Sequence, residues 1–103
     1  MFIYGEAVKG NSYPHKVYVF HNDPGHGWLA VKHKELESLG LLDTISSYSY
    51  TKGATVYLEE DCDMSAFISA KKAVDEPVIY KNSFTDHSSP IRNYERYYKP
   101  FNP

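Results

Sequence analysis

Only one cysteine, Cys62, occurs among the 103 residues, which excludes a disulfide within the chain. Positive charge is not in excess either: eleven Lys and Arg stand against thirteen Asp and Glu, a formal charge of −2. That balance argues against a general grip on a phosphate backbone, which needs a basic footprint. No apolar run approaches the ~20 residues of a membrane span. The opening "MFIYGEAVKG" also lacks the basic-then-apolar pattern of a secretory leader. The expectation is a cytoplasmic protein with no membrane contact. Dense metal motifs such as CxxC or HExxH are missing, as are internal repeats and any linker able to divide the chain. A single domain over 1–103 is expected, with a modest core and no cofactor.

Aromatic residues are abundant, with ten Tyr, five Phe and one Trp. Tyrosine at this density suits half-buried sheet faces and also binding surfaces, because the ring packs while the hydroxyl keeps a polar partner.

Period-two alternation marks "HKVYVFH" as a strand, and "GWLAV" returns as its partner across "DPGH". Pro24 and Gly25 suit the central positions of a type II turn, with positive φ at Gly25. Pairing His21 with His26 would set Val19 opposite Trp28 and Val17 opposite Ala30, with the two imidazoles in reach of each other. "FIYGEAV", "ISSYSY", "ATVYLEE" and "PVIYKNSF" are further strand candidates, and "TKG" reads as a hairpin. "HKELESLG" predicts a short helix with Leu36 and Leu39 inward, a left-handed Gly40 and Leu41 folding back on Leu36. "DCDMSAFISAKKAV" predicts a second helix, with Asp63 as N-cap and Lys71 and Lys72 near the negative end of the dipole. The order β-β-β-α-β-β-α-β gives an α+β domain with a twisted, largely antiparallel sheet of about five to six strands and two short helices. The Pro/Tyr-rich tail 88–103 docks on that domain as extended chain or a short helical turn.

Candidate chemistry gathers in two places. His21 and His26 flank the hairpin turn, and Glu59, Glu60, Asp61 and Asp63 crowd around Cys62. A catalytic thiol based on Cys62 with His21 or His26 as base is conceivable, but neighbouring carboxylates favour the protonated thiol. As N′ before an Asp63 cap, Cys62 instead fits a hydrophobic staple against Phe67. His21 and His26 form a weak metal-ligand pair, with Asp61, Cys62 and Asp63 as further competent ligand types. Glu59 and Asp61 fall on the same face of a strand and can share a cleft, whereas Glu59 and Glu60 point apart. Arg92, Arg96 and Lys99 interleave with Tyr94, Tyr97 and Tyr98, a pattern suited to docking and protein contact, or to stacking single-stranded bases. Arg92 or Arg96 is expected to pair with the Glu59–Asp63 cluster.

The segments "HNDPGHGWLAV", "ISSYSY", "GATVYLEEDCD" and "IRNYERY", in this order and spacing, resemble a family of small proteins of unknown function encoded by bacteriophages and plasmids. The resemblance spans about residues 15 to 98. It implies a bacterial cytoplasm and an accessory role, acting on a host or defence factor, and assigns no catalytic residue.

The first expectation is therefore a protein-binding module, with a homo-oligomer left open. Its contact surface comprises Pro24, Gly25, Trp28, Tyr48, Tyr50, Glu59, Glu60, Asp61, Asp63, Arg92 and Tyr94. The alternative is a small hydrolase, metal-assisted or thiol-based, drawing on His21, Asp23, His26, Glu59, Asp61 and Cys62, and bringing the hairpin end to the start of the second helix. Single-stranded nucleic-acid binding through the tail ranks below both.

Overall fold

The computed structural model describes residues 2–3 and 16–98. Most of "FIYGEAV", and Lys99 with the end of the tail, lie outside the described residues. Strand β1 (Phe2–Ile3) is followed by β2 (Val17–Asn22), β3 (Gly27–Lys32), helix α1 (His33–Ser38), β4 (Tyr50–Lys52) and β5 (Thr55–Glu59). Helix α2 (Met64–Ala73), β6 (Ile79–Phe84), a 3-10 turn (Pro90–Asn93) and β7 (Glu95–Arg96) complete the chain. The strands form one seven-stranded sheet in the order β1-β6-β2-β3-β5-β4-β7. Every pairing is antiparallel except β2 with β6, which run parallel. This is an α+β architecture in which the expected order holds, with the tail adding a short edge strand.

One sheet face carries Tyr18, Leu29, Val31, Val56 and Leu58, and these pack with Leu36 of α1 and Phe67 of α2 into the core. Phe67 meets Tyr18 edge-on at 5.4 Å between ring centroids. Helix α1 ends as its sequence requires. Gly40 adopts φ +72°, Leu41 N–H donates to Leu36 O and Gly40 N–H donates to Glu37 O, the two bonds of a Schellman cap.

Three local expectations are corrected. "ISSYSY" is mostly turn, and only Tyr50 enters a strand. Ser46 and Ser49 leave the sheet pattern because they donate to the buried Asp63 carboxylate, at 2.7 Å and 2.5 Å. Asp63 does occupy the N-cap position of α2, but its side chain serves that turn and makes no capping bond to the helix. Lys71 does not simply face the dipole: it is buried against Glu35 and Glu76, at 2.8 Å and 2.6 Å.

The hairpin register also differs. His21 pairs with Trp28, and Val19 with Ala30, so the two histidines are not opposite each other. The loop beyond the last pair, Asn22 with Gly27, has four residues, and its shape comes from a side chain. Asp23 Oδ1 accepts from Gly25 N and His26 N, an Asx-type turn, and Gly25 has no positive φ. Gly25 leaves room for the guanidinium, since a Cβ there would come within 2.8 Å of Arg92 Nη2.

Candidate functional site

The sheet face opposite the helices holds the site. In register across β2, β3, β5 and β4 lie His21, Trp28, Glu59 and then Tyr50 opposite Tyr57. The tail crosses this face. Arg92, in the 3-10 turn, donates from Nε to Asp23 Oδ2 at 2.7 Å and from Nη2 to Oδ1 at 2.9 Å, a bidentate pair. Ser89 N adds a further bond to Asp23 at 2.8 Å. With the two turn amides, Asp23 accepts five hydrogen bonds, and the Arg92 guanidinium beside it holds its carboxyl far below the ordinary carboxylate range. Of the two arginines expected to pair with the Glu59–Asp63 cluster, Arg92 is drawn to the hairpin turn instead, and Arg96 donates to Ser47 O at 3.1 Å.

Each arginine also lies over an aromatic ring. Arg92 sits 5.3 Å from the Trp28 ring centre and Arg96 4.9 Å from that of Tyr50. Trp28 and Tyr50 meet edge-on at 6.2 Å. Together they floor a cleft of about 290 Å³ lined further by His26, Tyr48, Glu59, Asp61 and Cys62. Trp28 is only 1% exposed, so it serves as floor rather than as a contact for a partner. Its indole Nε1–H is buried without a hydrogen-bond partner among the described residues.

The acidic end of the cleft is built by the close of β5. Glu59 is buried, and its Oε1 accepts from Asp61 N and Cys62 N, both at 2.9 Å. Those two amides fix the carboxylate and leave Oε2 facing His26 Nδ1 at 3.3 Å. Ligand atoms of His26, Glu59 and Asp61 all lie within 4.8 Å of one another. Cys62 is exposed, which rules out the staple against the buried Phe67. Its thiol is pushed above its ordinary value by desolvation at the strand end, then by the hydrogen bond to Glu59 and the charges of Glu59, Asp63 and Asp61.

The cleft thus unites His26, Trp28, Tyr48, Tyr50, Glu59, Asp61, Cys62 and Arg92 from the sequence candidates. His21 lies outside its lining, edge-on to Tyr57 at 5.8 Å, with desolvation lowering its pKa. Pro24 and Gly25 form the exposed loop tip, and Glu60 is exposed beside the cleft rather than lining it. Asp63 is turned into the Ser46–Ser49 turn. Tyr94 packs on Tyr57 at 5.3 Å, away from the cleft lining. Arg96, read in the sequence as part of the alternating tail and with Arg92 as a partner for the acidic cluster, walls the cleft. Tyr97, another member of that alternation, is buried in the core, so the tail is no free stacking ladder.

Comparison with protein-family models, curated proteins and solved structures finds no match. The reading of the site therefore rests on its own geometry. No helix among the described residues is long and apolar enough to cross a membrane.

Proposed function

We propose that this protein works by binding another protein, with the cleft and its exposed rim as the contact surface. The observation that carries this reading is convergence: segments around residues 26–28, 48–50, 59–62 and 92–96 meet in one cleft. Tyr48 stands at its rim at 62% exposure, the kind of anchor that dominates contact energies. The cleft is acidic in balance. Arg92 is neutralised by Asp23, so Arg96 alone stands against Glu59 and Asp61 in the lining, with Glu60 exposed alongside. A partner presenting basic side chains fits that charge. The motif resemblance supports an accessory role in a bacteriophage or plasmid, acting on a host or defence factor in the bacterial cytoplasm.

Affinity capture from bacterial lysate with the wild type, Tyr48→Ala and Glu60→Lys tests it. A partner retained by the wild type and lost by both variants is expected. No partner, or one indifferent to both substitutions, counts against the reading.

A small hydrolase is the second reading, favoured by the meeting of His26 with Glu59, Asp61 and Cys62. Its thiol form is opposed by the raised Cys62 pKa. The form that remains is metal-assisted, with the carboxylates and imidazole as ligands rather than a cysteine nucleophile.

A further inference from the structure

The geometry points to a divalent-cation site of the zinc class formed by His26 Nδ1, Glu59 Oε2 and an Asp61 carboxylate oxygen, open on the cleft side. This inference stands apart from the partner-binding reading and does not depend on it.

Three features carry it. The first is spacing. Ligands held at about 2.0–2.1 Å around a tetrahedral zinc lie roughly 3.3–3.4 Å from one another. His26 Nδ1 and Glu59 Oε2 are 3.3 Å apart. A direct charge-assisted hydrogen bond is shorter, about 2.7–2.9 Å. That separation matches the edge of a coordination tetrahedron, so the two atoms need little movement to share an ion. The second is orientation. Glu59 is buried and its other oxygen is occupied by two backbone amides, so Oε2 is presented in a fixed direction. Metal sites rely on such outer hydrogen bonds to aim their ligands. Asp61 is exposed, so a rotation of its side chain can bring its oxygen from within 4.8 Å to coordinating distance. The third is the cleft itself. It opens beside the three groups, over a floor formed by Trp28. Three protein ligands leave at least one position for an exchangeable group.

The donor set also selects the metal. One imidazole with two carboxylates favours zinc or a neighbouring transition metal over magnesium, which prefers oxygen ligands throughout. Cys62 borders the same cleft but is not among the three groups whose ligand atoms cluster.

The test is titration of chelator-treated protein with Zn²⁺ by calorimetry, alongside thermal unfolding with and without the metal. One Zn²⁺ per chain and a higher melting temperature are expected. His26→Gln and Asp61→Asn alter exposed side chains, so their folding is not at risk. Each is expected to weaken binding by at least about tenfold, the low end of what loss of even an outer-shell partner costs. His21→Gln and Cys62→Ser are expected to bind as the wild type does. Absence of binding overturns the inference. So does binding that survives both His26→Gln and Asp61→Asn, or that is lost only in Cys62→Ser, which would mark a lone-thiol contact.

Discussion

Asp23 and Glu59 are both buried carboxylates at the ends of strands on the same side of the sheet, and they are finished in opposite ways. Asp23 receives five donors, two of them from Arg92, and has no capacity left for a ligand. Glu59 receives two amides on one oxygen and offers the other to a half-exposed imidazole at 3.3 Å. The difference teaches which acidic residue builds the molecule and which is free to act. A fully satisfied buried charge holds distant segments together, here the hairpin and the tail. A partly satisfied one, at the mouth of a cleft, is chemically available.

Removing the locked carboxylate should have the largest effect. Asp23→Ala leaves Arg92 and three amides without their acceptor, and is expected to cost about 3 kcal/mol. That is roughly 10–20 °C in melting temperature for a domain of this size. Protease cleavage within residues 88–98 should accelerate in the same variant, and an unchanged cleavage rate would mean the tail is held by other contacts. The pH dependence has a definite sign. The Asp23 carboxyl is depressed in the folded state, so its contribution is complete above the unfolded carboxylate value of about 4. It is lost as pH falls further, through the folded value. Urea midpoints of the wild type and Asp23→Ala should therefore converge below about pH 4, and a constant gap would refute this assignment.

A smaller effect is expected at Gly25→Ala. The added methyl meets Arg92 Nη2 and must displace it slightly from Asp23, so about 1 kcal/mol is anticipated from urea unfolding. The smallest concerns the open carboxylate and leaves stability nearly untouched. Cys62 should react with a thiol probe near neutral pH more slowly than free cysteine, because its pKa is raised. Glu59→Gln should speed that reaction by removing a charge that favours the neutral thiol. A fast wild-type reaction would put the thiol back among the candidate nucleophiles.

Much of this contrast was hidden from the sequence for physical reasons. The helix cap at Leu36, Gly40 and Leu41 is local, and its residues announce it. The hairpin was legible as an element but not in register. Moving a strand by two residues keeps every side chain on its own face, so alternation cannot choose between His21–His26 and His21–Trp28. The Asp23 turn decides it, through two bonds to its own loop. "ISSYSY" alternates like a strand, yet Ser46 and Ser49 are committed to Asp63 in the next helix. The bond from Arg92 to Asp23 crosses most of the chain and carries no local signal. Of the cleft, the residue types were legible, while their convergence needed the fold.

The parallel pairing of β2 with β6 also shapes how the molecule is made. These strands lie roughly sixty residues apart, and β6 further pairs with β1 at the start of the chain. On a ribosome, β2, β3 and β5 can assemble early, but one flank of β2 stays bare until β6 has emerged. During that interval the nascent chain exposes a strand edge open to mispairing, and completion waits on slow, long-range closure.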